Sequence, residues 1–199
     1  MKNFRFACVA AVALMSGAAQ ATTIDFETGA PPGFGSTTPL TTAYSSQGVV
    51  FSGLPGSNGG SILDENGGFG INARSGRDFL AFNSPFTGIG EILTFSVAQS
   101  LVSIYLGNSG ASSFTITAFD GLTQISSTTA NTTAGAYGLF SVTGSHITSV
   151  EFTSTSSVFV ADDLSFTAAP VPEPSTIVLF GAGLFAFGAF RRVRATEKR

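Results

Sequence analysis

The sequence predicts an all-β protein, an antiparallel β-sandwich, on three observations. Short runs alternate apolar and polar residues at period two, the signature of half-buried strands. Turn dipeptides separate the runs at regular intervals, among them Pro55-Gly56, Asn58-Gly59, Asn66-Gly67, Ser75-Gly76 and Asp120-Gly121. No amphipathic stretch of helical period lies between the runs, which excludes a parallel α/β architecture. Nine or ten strands at such spacing make a sandwich.

The chain opens with an export signal. Lys2 and Arg5 form a basic start, residues 6–15 are apolar, and Ala19-Gln20-Ala21 has the small-x-small pattern of a signal peptidase site. Cleavage after Ala21 leaves a body at residues 22–169. The only cysteine, Cys8, lies inside the apolar run. The mature body then has no disulfide, no thiol nucleophile and no thiolate metal site, and it rests on core burial.

The body's strands follow in order. Ile24 and Phe26 alternate with Thr23, Asp25 and Glu27 in the first. A run from Ala43 ends in Val49-Val50-Phe51, and residues 53–70 read as an irregular Gly/Ser/Asn-rich loop. Residues 79–82, 92–97, 101–106 and 114–119 are the next strands. Asp120-Gly121 forms a hairpin with residues 122–126. The Ser/Thr-rich residues 126–138 are either a polar edge strand or a loop. Residues 139–142, 147–152 and 158–166 complete the set. In the last, period two places Val158, Val160, Asp162, Leu164 and Phe166 on one face.

Charge narrows the possible functions. Within residues 22–169 there are ten acids and only two bases, Arg74 and Arg77, so the body is near −8 although the whole chain is −3. Such a surface repels nucleic acid and anionic lipid. No catalytic residue is expected. His146 is the only histidine, no G-x-S-x-G elbow is present, and there is no Trp to serve as a sugar platform. Asp162 on an apolar face is costly unless it is paired or binds a metal. With few bases in the body, a hard cation such as Ca²⁺ meets the requirement.

Phe26-Glu27-Thr28-Gly29 and Asp162-Asp163-Leu164 resemble the two ends of the jelly-roll sandwiches found in many carbohydrate-binding modules. That resemblance implies a jelly-roll-like sandwich with a structural Ca²⁺ held by Glu27, the Gly29 carbonyl, Asp162 and Asp163. It also implies polysaccharide binding, although aromatic platforms are reduced here to Tyr44, Tyr105 and Tyr137.

The last thirty residues have three parts. Val171-Pro172-Glu173-Pro174 is an extended hinge, because proline and the residue before it resist helix. Residues 177–190 are apolar and uncharged. Arg191, Arg192 and Arg194 open a basic tail, 191–199, ending in Lys198 and Arg199. A helix over 176–190, counted from Ser175 as sixteen residues, spans about 24 Å, short for a hydrocarbon core of about 30 Å but usable in a thin bilayer. The arginines stay cytoplasmic by the positive-inside rule.

This order resembles the PEP-CTERM sorting signal. The resemblance implies processing by an exosortase, a membrane-embedded cysteine protease or transpeptidase, in a Gram-negative bacterium that makes exopolysaccharide. The chain is then exported across the inner membrane, anchored transiently by one span, and delivered to the cell surface or extracellular matrix. Its expected partners are signal peptidase, exosortase and exopolysaccharide, in a biofilm-associated role without catalysis. The alternatives are a purely structural or adhesive module that makes protein–protein contacts, and a secreted hydrolase using carboxylates.

Overall fold

The computed structural model describes residues 21–28, 40–64, 68–83, 88–170, 181 and 183–185. Residues 19–169 form one compact unit. The strands described are β1 (Ala21–Ile24), β2 (Val49–Gly53), β3 (Ser61–Asp64), β4 (Asp78–Asn83), β5 (Gly90–Asn108), β6 (Ser112–Asp120), β7 (Thr123–Thr132), β8 (Ala136–Ser154) and β9 (Val158–Ala168). All pairings are antiparallel, in the order β3-β4-β9-β5-β8-β6-β7, with β1 on β9 and β2 on β5.

β5 and β8 build the sandwich. Each runs for 19 residues, where the sequence pattern suggests two shorter strands. The register of β5 slips between Thr94 and Gln99 and again before Leu101. Before the slip β5 pairs with β2; after it β5 pairs with β9, while β8 accompanies it on both sides of the bend. The sheet therefore folds over into two layers. The first holds β2, the start of β5, the end of β8, β6 and β7. The second holds β3, β4, β9, the end of β5 and the start of β8, with β1 alongside β9.

Between the layers lies a continuous core in which Phe26, Phe51, Leu93, Ile104, Phe114, Phe152 and Phe159 are fully buried or nearly so. Phe82 and Phe159 stack with centroids 4.2 Å apart, and Phe152 meets Phe82 edge-on at 5.6 Å. These phenylalanines fill the interior of a body that has neither disulfide nor Trp.

Several local expectations change. β3 lies inside the stretch expected to be loop. The chain from Ala43 begins as a 3₁₀ turn at Ser45–Gln47, which Gly48 ends at φ 93°, and only then enters β2. Residues 126–132 belong to the polar edge strand β7. The β6–β7 connection is Gly121-Leu122, because Asp120 already pairs with Thr123.

The face predicted for the last strand is also corrected. Between Ser103 and Tyr105 on β5, two steps oppose three on β9, from Ser165 to Asp162. The extra residue is a bulge at Asp163, whose φ is 47°. A bulge reverses the inside–outside order. Leu164 and Phe166 enter the main core, whereas Val160 joins Ile71, Phe79 and Ala81 in a smaller cluster under a covering loop.

Candidate functional site

The bulge presents Asp162 and Asp163 to the loop that joins β3 to β4. Asp162 is fully buried. Its Oδ2 accepts the backbone N–H groups of Arg74 (2.8 Å) and Ser75 (3.1 Å), and its Oδ1 accepts that of Asp163 (2.8 Å). Burial pushes its carboxyl up to about 6, with the amides of Ser75 and Arg74 opposing the rise. Asp163 takes the Ser75 hydroxyl at 2.7 Å and pairs with the Arg74 guanidinium. That guanidinium lies over the Tyr105 ring, 3.5 Å from its centroid.

Glu27 holds the other end of the same loop. Its Oε1 accepts the N–H groups of Arg77 (2.8 Å) and Asp78 (2.7 Å). The chain reaches it through Phe26, a buried residue at φ 62°. Gly76 sits between the two grips at φ 57°, so close that an added Cβ would lie 2.1 Å from the Glu27 carboxyl carbon. Burial, then Glu27 and Asp64 nearby, raise the Asp78 carboxyl. Tyr44 is buried close by with no hydrogen bond to its hydroxyl among the described residues, and burial followed by Asp25, Asp78 and Glu27 pushes its phenol upward.

The structure thus brings Glu27, Asp162 and Asp163 to one loop, residues 74–78, which ties the end of β1 to β9. Gly29 lies outside the described residues. The tie is made by N–H donors. Two lone-pair directions on Asp162 Oδ2, one on Oδ1 and two on Glu27 Oε1 face amides, an arrangement that fits a clasp on the backbone and does not fit a cation at Asp162. Among the described residues no group of three or more His, Cys, Asp or Glu side chains is placed to hold a metal.

Sequence reasoning missed the loop as the carboxylates' partner. One signal was available: the body's only two bases, Arg74 and Arg77, flank the Ser75-Gly76 turn. It also missed Glu91. This residue is buried at the start of β5 and accepts the Gly60 N–H at 2.5 Å. Burial pushes its carboxyl up to about 8, against the opposing effect of that amide.

Among the described residues, His146 is hydrogen-bonded to Asp120 and to no serine or threonine hydroxyl. Its Nδ1 meets Asp120 Oδ1 at 2.9 Å in an exposed pair at the hairpin end. The three tyrosines are engaged. Tyr44 is interior, Tyr105 carries Arg74 on its ring, and Tyr137 donates its hydroxyl to the Asn72 carbonyl at 3.1 Å.

Ala21 is the first residue of β1, opposite Thr167; Ala19 lies outside the described residues. So do Val171, Pro172, Glu173, Pro174, Arg191, Arg192 and Arg194. Of the expected span 176–190, only Gly181 and residues 183–185 are described, all helical. Among the described residues no helix is long and apolar enough to cross a membrane.

Fold and tail together define a β-sandwich that bears a sorting signal. Residues 170–192 match the PEP-CTERM protein-sorting motif. No curated protein matches the chain. Among solved structures, it is similar to the CBM22-1 xylan-binding domain from Paenibacillus barcinonensis Xyn10C, at 16% identity and a TM-score of 0.45 over 75% of this chain and 95% of that one. The N-terminal CBM22-1-CBM22-2 tandem domain from the same Xyn10C gives 18% and 0.47, over 81% and 49%. TmCBM61 in complex with beta-1,4-galactotriose gives 13% and 0.35, over 63% and 89%.

Proposed function

We propose that the chain is an exported, non-enzymatic protein of the cell surface or extracellular matrix, sorted and processed by an exosortase. The observation that carries this reading is the PEP-CTERM match over residues 170–192, joined to an N-terminal export pattern and a cysteine-free body. In this reading the hinge is the processed element. Pro172 and Pro174 keep it extended for a protease, and Glu173 between them is the charged handle. The apolar span anchors the chain only until processing.

The body works by contact. Its most buried carboxylates, Glu91 and Asp162, serve backbone amides, and His146 is in an exposed pair with Asp120, which supports a role by contact. The acidic surface supports partners other than nucleic acid or anionic lipid. Polysaccharide binding by this body does not run through tyrosine stacking, since Tyr44, Tyr105 and Tyr137 are all engaged.

Fractionation of the native host tests the reading. Wild-type chain is expected in the surface or matrix fraction without its tail. Glu173→Ala is expected uncleaved in the inner membrane. Normal release of the variant would overturn the assignment.

A further inference from the structure

The outer face of the first layer carries hydroxyl side chains that are hydrogen-bonded to one another. Phe114, Ile116 and Ala118 of β6, and Val150 and Phe152 of β8, point into the core, so their neighbours point out. Across the strands these neighbours form rows. Thr129, Thr115 and Thr153 stand side by side in one row, and Ser127, Thr117 and Glu151 in the next. Strand spacing sets the members of a row about 4.8 Å apart, and the rows follow at about 6.8 Å along each strand. The result is a lattice of five hydroxyls and one carboxylate, Glu151.

The lattice is pre-ordered. The Thr115 and Thr129 hydroxyls lie 2.8 Å apart, and those of Thr117 and Ser127 2.9 Å apart. Each pair fixes two rotamers, and lone pairs still face solvent. A ligand that meets fixed rotamers loses less side-chain entropy on binding. Glu151 stands within the lattice, half-buried, with no hydrogen bond or ion pair among the described residues. A carboxylate is an acceptor only, and two of its lone pairs suit the two hydroxyls of a diol.

The six positions carry one formal charge, and it is negative, in a body of ten acids and two bases. Polyanions are repelled. A chain rich in hydroxyls offers donors to Glu151 and both donors and acceptors to the serines and threonines. We infer that this hydroxyl lattice, with Glu151 in it, is the docking surface for a neutral polysaccharide lying across β7, β6 and β8. The inference rests on the surface-protein reading above and names the ligand class and the face that meets it.

The test is electrophoresis of the full-length chain, purified in a non-ionic detergent, through gels containing hydroxyethyl cellulose, dextran or neutral galactan, beside a gel of polyanionic alginate. The wild type is expected to be retarded in at least one neutral gel and not in alginate. The combined variant Thr115→Val, Thr117→Val, Thr129→Val is expected to lose affinity by about tenfold or more, the loss of roughly one net hydrogen bond. Glu151→Gln, which leaves the threonines in place, is expected to weaken binding in the same gel. Ser103→Ala, on the outer face of the other layer, is expected to migrate as wild type. Melting curves within a few degrees of wild type qualify each variant, and Glu151→Gln alone decides if the triple variant fails to fold. Absence of retardation in every neutral gel, retardation in alginate alone, or loss of binding only in Ser103→Ala would overturn the inference. Fractionation of Glu173→Ala reports on sorting whatever the gels show, so a failure here leaves the address standing.

Discussion

At Gly76 a single side chain's absence holds the clasp together. The residue has φ 57°, and any Cβ would collide with the Glu27 carboxyl. Left-handed backbone costs an L-residue roughly 1–2 kcal/mol before the clash is counted. Gly76→Ala is therefore expected to destabilise the body by about 2 kcal/mol or more, or a melting temperature roughly 4–8 °C lower for a body of this size. An unchanged melt would show that the loop bears no load. Phe26 and Asp163 are strained in the same sense, at φ 62° and 47°, and both belong to the clasp. Strain of that kind persists where surrounding contacts over-determine it.

Glu91 supplies a second test at this scale. Its carboxyl is raised from 4.5 to about 8, so the folded state holds a proton that the unfolded chain releases. The stability it contributes is complete below about pH 4.5 and is lost as pH rises through about 8. Asp162, raised from 3.8 to about 6, acts in the same direction over a lower window. Stability is thus expected to decline from pH 5 to pH 9, and Glu91→Gln to flatten the upper part of that decline. Melts of the variant that track wild type at every pH would contradict this. Neither the raised acid nor its cause is visible in the sequence, where Gly90-Glu91-Ile92 reads as an ordinary polar position before a strand. Burial of Glu91 depends on the Gly59-Gly60 segment, 31 residues upstream of the bond it makes, folding back over it.

Among the elements, β9 shows what alternation reveals and what it hides. Its existence is legible from period two, as is that of β6, although β9 runs on to Ala168 and β6 starts at Ser112. Its facing is not, because one extra residue at Asp163 turns Val160 and Asp162 away from Leu164 and Phe166. Nothing local in Val-Ala-Asp-Asp-Leu marks a bulge, which is defined only against its partner strand. The sequence pattern divides each of β5 and β8 into two strands for a related reason. At the bend the β5–β8 register shifts between Thr94 and Gln99 and again before Leu101, so alternation and pairing are both interrupted there although each strand continues.

Glu27, Asp162 and Asp163, which the sequence suggests as Ca²⁺ ligands, lie just past the end of β1 and within β9. What meets them is the 74–78 loop. With those oxygens on amides, melts in excess Ca²⁺ and in chelator are expected to coincide. A clear upward shift with Ca²⁺ would mean that the loop gives way to an ion, since a ligand that binds only the folded state raises its stability.

For the whole molecule, address and body are separate problems. The tail is short, ordered in three parts and readable as it stands, and its match to the sorting motif agrees with that reading. The bases that bring the chain to −3 lie mostly in the two ends. In the proposed processing both ends are removed, which leaves a body of ten acids and two bases. The proposed docking face, the hydroxyl lattice of the first layer, carries little of that charge. Individual threonines announced strands in the sequence. Their lattice became visible only when the register placed Thr129, Thr115 and Thr153 in one row.

The most direct measurement is the intact mass of the surface form recovered in the fractionation of wild-type and Glu173→Ala cells. The account predicts a wild-type mass that begins near Thr22 and excludes the apolar span and the arginine tail, and a variant that keeps both in the inner membrane. A surface form that retains residues 177–199 would contradict it.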